Sequence, residues 1–381
     1  MHWGPAAALM RCRLADRENE ALMVVIGVDT HKATHTLVGV DAGGRKLSEL
    51  SIQAATAGHL KALDWARRIG GHDVVWGIED CRNLSWRLER DLLDSGQQVV
   101  RVPPHLMARV RSSGRARGKS DPIDALAVAR AVLREPDLPV ACHDEISRQF
   151  KLLVDRRDDL VAHRTAVTNR LLWRVHELDP SHAPPPASLS NFKNQEALGS
   201  CLITQVGLVA ELARDELGDI TAVTKDIKTL DARIGAAVRV AAPSLLGIYG
   251  CGELTAAKLI GETAGVSRFR NEAAFARHAG VTPIPHWSGT NPVRLRAVKV
   301  GNRQLNNALY RIAITQIRFN SGEPDATYYR KRREFGDTHA QALRRMERRI
   351  ARIVFGHMRT AQANWAKQLP KEHNHVEVFG A

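Results

Sequence analysis

The chain has 381 residues, 44% hydrophobic and 25% charged, which excludes a disordered protein and leaves room for two or three domains with real cores. Lysine and arginine number 55 against 41 acidic residues, a net charge of +14 that favours a polyanionic partner, nucleic acid first. Cys12, Cys81, Cys142, Cys201 and Cys251 are scattered without metal-ligand spacing and read as free thiols of a cytoplasmic protein; no apolar run is long enough to suggest membrane insertion.

Residues 1–22 carry little pattern and read as a disordered extension. "MVVIGVDTHKATHTLVGVDAGGRKLSELSI" (23–52) reads as three strands, the first ending at Asp29 and the next two forming a hairpin about Gly43-Gly44. A helix is expected around "AGHLKALDWARRI", a strand in "DVVWGIED" ending at Glu79, a helix in "LSWRLERDLLDSG" and a fifth strand in "QQVVRV". That order is expected of a ribonuclease H-like sheet, although other α/β folds share parts of it.

"KSDPIDALAVARAV" (119–132) places two carboxylates three residues apart where a helix begins. Asp121 reads as an N-cap, with Pro122 at the first helical position and Asp124 complementing the dipole, or the two acids read as half of a metal site. If this helix crosses the sheet edge, Asp29, Glu79, Asp121 and Asp124 converge, and such a cluster requires divalent cations. Oxygen ligands favour Mg²⁺ or Mn²⁺, the metals of phosphodiester chemistry. Arg101, Arg109, Arg111, Arg115, Arg117 and Lys119 precede the helix without an acidic residue between them, suiting a loop that meets a phosphate backbone. His31 and His35 have i,i+4 spacing but fall in a strand-turn region, so neither is assigned a metal role.

Residues 145–178 carry a long helical apolar period, "DPSHAPPPASLSNF" breaks it, and helical pattern resumes from about 194 to 240, giving a helical hairpin or coiled coil. From Pro243 an apolar stretch, Gly250-Cys251-Gly252 and a further helix resemble a helix-hairpin-helix, whose turn can offer backbone N–H groups to phosphate. Arg294, Arg296, Lys299 and Arg303 follow, and then an arginine-dense helix with Arg345, Arg348, Arg349 and Arg352 on one face, which suits a phosphate track on RNA or DNA. The expected organisation is α/β plus α: an extension (1–22), a ribonuclease H-like domain (23–140), a helical hairpin region (141–242), a mainly helical C-terminal domain (243–365) and a tail (366–381).

Taken together, "IGVDTHK" (26–32), "GIED" (77–80), "RGKSDPIDALAVA" (117–129) and "AFARHAGVTPIPHWSG" (274–289) resemble IS110-family transposases. The resemblance covers roughly 24–135 and 243–320. It implies a RuvC-like first domain whose Asp-Glu-Asp-Asp set is Asp29, Glu79, Asp121 and Asp124. It also implies a C-terminal transposase domain whose nucleophile is Ser288 in "HWSG", attacking DNA to give a covalent phosphoserine. Further implications are donor and target DNA as substrates, a guide (bridge) RNA from the element, and a dimer or tetramer. One departure stands out: Val298 in "VKVGN" replaces a serine common in relatives, so the intact Ser288-Gly289 pair is taken as the reactive one. The competing expectations are a RuvC-like nuclease using metal-activated water, and a catalytically silent nucleic-acid-binding protein.

Overall fold

The computed structural model describes residues 23–71, 73–79, 82–103, 106, 120–135, 138–142, 144–185, 187–286, 294–297, 301–319 and 322–368, with backbone alone at 82–83, 283–286, 294–297 and 366–368. The described residues divide into two compact units, the first formed by those up to 142 with Arg268–Arg270, and the second by 144–267 and those from 271 onward.

In the first unit, β1 (Val24–Thr30), β2 (Thr34–Val40), β3 (Lys46–Gln53), β4 (Val74–Glu79) and β5 (Gln98–Val102) form one sheet in the order β3-β2-β1-β4-β5. The first three strands are a meander of antiparallel pairs, whereas β1–β4 and β4–β5 are parallel and require crossovers, supplied by α1 (Thr56–Gly70) and α2 (Arg82–Asp94). This is the ribonuclease H-like arrangement. Gly44 takes the left-handed conformation in the β2–β3 turn, and Asp41 Oδ1 accepts from the Arg45 amide at 2.9 Å.

Strand alternation assigns the two faces. Ile26 and Val28 of β1 join Trp76, Ile78, Ala62, Trp65, Leu88 and Leu92 in the core beneath α1 and α2. Val25 of β1 and Val38 and Val40 of β2 meet Ala125 and Ala129 of α3 (Asp121–Arg134) on the opposite face. Gly27 lies on that second face, where a Cβ would run into the Ala125 carbonyl oxygen and the Ala129 amide nitrogen. Glycine on the strand and alanines on the helix therefore let the backbone of α3 rest directly on the central strand.

Arg101, expected in the phosphate-facing basic stretch, is instead a buried residue of β5. Its Nε donates to Glu89 Oε2 of α2 at 2.8 Å and its Nη2 contacts Glu89 Oε1, both side chains being buried. The strand period places it in the interior, and only a carboxylate from the neighbouring helix makes a charge tolerable there.

In the second unit, α4 (Glu145–Leu178) and α6 (Leu208–Ala241) pack lengthwise. Arg157 reaches Asp231 at 2.8 Å and Arg174 reaches Glu216 at 2.9 Å, pairings that fix an antiparallel arrangement. Val167, Leu171 and Val175 interlock with Ala213, Leu217 and Ile220 along the seam. Asp144 caps α4, its Oδ1 accepting from the Ser147 amide at 3.0 Å. The helical pattern expected as one run over 194–240 is two helices, α5 (Phe192–Ile203) and α6, because Gly207 adopts φ +98° between them.

The remaining elements are α7 (Pro243–Leu246), α8 (Glu253–Thr263), α9 (Glu272–His278), the strand pair β6 (Pro283–His286) and β7 (Arg294–Ala297), α10 (Arg303–Phe319), α11 (Pro324–Glu334) and α12 (His339–Gln368). Glu347 is buried on α12, 2.7 Å from Arg344, whose Nη1 also points at the Gly280 carbonyl. Burial pushes the Glu347 carboxyl up to about 7 from 4.5, against the smaller opposing pull of Arg344. Between those values the folded chain holds a proton that the unfolded chain has released, so this contribution to stability is complete below pH 4.5 and lost as pH rises through 7. Glu347→Gln is expected to leave urea stability nearly unchanged at pH 4 and to raise it by about 3 kcal/mol at pH 8, read from denaturation midpoints at the two pH values.

Candidate metal centre and nucleic-acid surfaces

Asp29 is the sixth residue of β1, two positions beyond Gly27 and so on the face that α3 covers. Docking of α3 at Gly27 brings the start of that helix to the end of the strand. The N-cap of α3 is Ser120, with extended backbone and no side-chain capping bond; Asp121 is the first helical residue and Pro122 the second. Asp121 is thus one position inside the expected boundary, and its carboxylate projects from the first turn without capping it.

His31 completes the group. Its amide donates to the Thr34 carbonyl at 3.0 Å in the tight β1–β2 turn. Its Nε2 lies 3.2 Å from Asp29 Oδ2 and 3.4 Å from Asp121 Oδ1. One atom from each of the three side chains falls within 4.8 Å of the others, so the group could hold a metal ion. Asp29 is buried, while Asp121 and His31 are half exposed, which leaves the site open on one side. Burial raises the Asp29 carboxyl above its usual range; Asp124 and Asp121 add to the effect, and His31 opposes it. A bound cation would offset that accumulation of negative charge.

Asp124, buried one helical turn after Asp121, is close enough to raise Asp29. Glu79 is the last residue of β4, one step beyond Ile78, whose partner on β1 is Val28. It therefore occupies the strand-end position beside Asp29, but it is not one of the three side chains gathered within 4.8 Å.

His31, set aside as a ligand on sequence grounds because it falls in a strand-turn region, lies beside both carboxylates. Its position two residues after Asp29 at the end of a strand was the available signal, since alternation puts both on one face. His35 goes to the opposite face, where its ring stacks on buried His59 at 5.5 Å, whose Nδ1 is 2.6 Å from Asp91. Burial pushes the His35 imidazole down to about 4, so that residue is a neutral core histidine.

The expected nucleic-acid contacts are placed unevenly. Arg345 pairs with Asp337 at 3.0 Å, Arg348 with Glu272 at 3.3 Å and Arg349 with Asp325 at 2.8 Å, the last also stacking over Tyr328. The helical face read as a phosphate track thus has three of its four arginines committed to carboxylates from other segments; Arg352 is exposed. Hydrogen bonding from Arg332, with help from Arg345, holds Asp337 below the usual carboxylate range.

Gly250 adopts φ +86° against α10, where a Cβ would meet the Ile312 carbonyl and Thr315, while Gly252 is open at the N-terminus of α8. The first helix of the helix-hairpin-helix-like segment is the single turn α7. Arg303 is exposed at the start of α10, and Arg294 and Arg296 lie on β7. Ser288, Val298, Lys299, Arg109, Arg111, Arg115, Arg117 and Lys119 lie outside the described residues.

A ribonuclease H-like sheet with carboxylates gathered at the end of its central strand is an arrangement that could hold a divalent ion for phosphodiester chemistry. Residues 26–178 match the DEDD transposase model of the IS110 family, and residues 242–330 match the model described as transposase, IS116/IS110/IS902 family. The chain belongs to the IS110 family of transposases and is accordingly an enzyme that acts on DNA.

Its relatives include the 44.8 kDa protein of insertion element IS116 from Streptomyces clavuligerus, 26% identical with 88% of this chain and 94% of that one covered. The 42 kDa protein of IS900 from Mycobacterium paratuberculosis is 24% identical, with 87% and 95% covered. Among solved structures, RuvC from T. thermophilus in complex with a Holliday junction substrate is 16% identical. That match covers 29% of this chain and 95% of the other, with a TM-score of 0.23.

Proposed function

We propose that this transposase cuts and rejoins DNA through a covalent phosphoserine on Ser288, under the control of a divalent ion held by Asp29, Asp121 and Asp124, with Glu79 at the same sheet edge. The observation that carries the metal part is the convergence of Asp29 and Asp121 from opposite ends of the first unit's sequence. The ion, Mg²⁺ or Mn²⁺, supplies Lewis-acid polarisation of a phosphoryl oxygen and stabilises charge developing on the oxygens of the transferring phosphate.

The Ser288 hydroxyl attacks a DNA phosphodiester; its Oγ–P bond forms as a P–O bond to deoxyribose breaks, and the serine proton passes to the leaving oxygen. A second strand's hydroxyl then reverses the sequence at a new junction. The phosphodiester energy is retained in the intermediate, in keeping with a sequence that carries no GxxxxGK[ST] loop.

Arg109, Arg111, Arg115, Arg117 and Lys119 serve as phosphate contacts, with further contacts from Arg294, Arg296, Lys299, Arg303 and the Gly250–Gly252 turn. Target choice is left to base pairing by a guide RNA from the element. The protein works in the cytoplasm as a homo-oligomer that holds donor and target together.

The test is covalent trapping: the chain is incubated with element-junction DNA, the flanking transcript and Mg²⁺, and resolved on a denaturing gel beside Ser288→Ala and Asp124→Ala. A protein–DNA adduct lost by at least about 100-fold in both variants is expected, the scale on which removal of a nucleophile or its electrostatic support acts. Strand cleavage that needs Asp124 but persists in Ser288→Ala would replace this reading with a nuclease that uses water. Unchanged DNA affinity with no cleavage by any form would leave only a binding protein.

A further inference from the structure

We infer that His31 is itself a ligand of the divalent ion, giving the centre a mixed nitrogen and oxygen donor set that holds Mn²⁺ more tightly than Mg²⁺. The inference rests on the metal reading above and adds to it a residue outside the carboxylate set.

Three observations support it. First, His31 Nε2 sits between two carboxylates from different elements, 3.2 Å from Asp29 and 3.4 Å from Asp121. Charge-assisted N–H···O⁻ bonds run shorter, at about 2.7–2.9 Å. Ligands at about 2.1 Å from one ion stand about 3.0 Å apart at octahedral angles and about 3.4 Å apart at tetrahedral ones, the range seen here. Second, the imidazole is not a swinging surface group at its root: the His31 amide is bonded to the Thr34 carbonyl, and β1 and β2 are in register up to Thr30 and His35. Third, the half-exposed side of the centre leaves coordination positions free for phosphate oxygens.

The chemical consequence follows from ligand preference. A centre of carboxylates alone suits Mg²⁺, which demands oxygen and dehydrates reluctantly, whereas one imidazole shifts the balance toward first-row transition ions.

The test uses the full-length protein with Mn²⁺ as probe. Binding is followed by the loss of the free-ion EPR signal, and ¹⁴N coupling to bound Mn²⁺ is sought by electron spin-echo modulation. The wild type is expected to show ¹⁴N coupling that disappears in both His31→Ala and His31→Gln. Mn²⁺ affinity should fall about 10–100-fold in each, while Mg²⁺ affinity, measured by competition, changes less than about threefold. Thermal melts of the two variants without metal are expected to match the wild type, because the side chain is half exposed.

Wild-type Mn²⁺ binding without ¹⁴N coupling, or coupling and affinity that survive both substitutions, would overturn the inference. Asp29→Asn is the separate control on the underlying reading. Mn²⁺ binding indifferent to Asp29→Asn would remove the carboxylate centre itself, whereas binding lost in Asp29→Asn but unchanged in both His31 variants would remove only the imidazole from it.

Discussion

Gly27→Ala is expected to destabilise the chain by about 3 kcal/mol or more and to abolish metal binding and DNA cleavage, although it adds a single methyl group. The methyl would collide with the Ala125 carbonyl oxygen, the Ala129 amide nitrogen and the Ala129 Cβ, so backbone and not a flexible side-chain end has to move. Overpacking of that kind typically costs about 1–3 kcal/mol, and a contact between backbones leaves the least room for relief. The loss of function follows from geometry: α3 can escape the clash only by lifting from β1, which withdraws Asp121 and Asp124 from Asp29. Gly218→Ala is the matched control. Gly218 lies inside α6 with open space where its Cβ would be, so alanine there should stabilise by about 0.5–1 kcal/mol and leave metal binding intact. Urea midpoints together with Mn²⁺ titrations of both variants decide the matter.

Glu89→Ala is expected to cost about 3–5 kcal/mol, because it leaves the Arg101 guanidinium charged in the interior without its carboxylate. The double variant Glu89→Leu with Arg101→Met should recover most of that loss, since apolar residues of similar volume remove the desolvation cost along with the attraction. Denaturation midpoints of the single and double variants check this. The contrast with Gly27 is informative: at moderate temperature, where the double variant is folded, its metal binding should equal that of the wild type, because neither residue contributes to the Asp29 centre.

Much of the first unit was legible in the sequence because its signals are local. The β-branched run of β1, the THTLVGV segment of β2 and the Gly43-Gly44 turn each specify one element, and the observed strands match the expected ones within a residue or two. The carboxylate centre was legible in part, since Asp29 closes a strand and Asp121 and Asp124 open a helix, both positions recoverable from pattern.

What escaped depends on partners remote in sequence. Arg345, Arg348 and Arg349 share a face of α12, but the acids that engage them, Asp337, Glu272 and Asp325, come from three other segments. A helical wheel records which residues share a face and nothing about what faces them. Arg101 was missed for the same reason, its charge being visible in the sequence and Glu89 not. His31 was weighed only with His35 as an i,i+4 pair and set aside because both fall in a strand-turn region; its neighbours are instead Asp29 and Asp121, while His35 ends on the opposite face of the sheet.

The docking of α3 on β1 also sets an order of events during synthesis. The β1–β2–β3 meander closes through tight turns and can assemble while the rest of the first unit is still being made. Asp29 is then in place, but Asp121 and Asp124 belong to the last helix of that unit and meet it only when a long loop closes. A chain that ends before α3 therefore presents Asp29 and Glu79 at the sheet edge on an uncovered face, without Asp121 and Asp124. On the proposed function, a chain that ends before Asp124 carries an incomplete metal centre and is expected not to cleave DNA, whereas one that ends beyond α3 already carries all four acids.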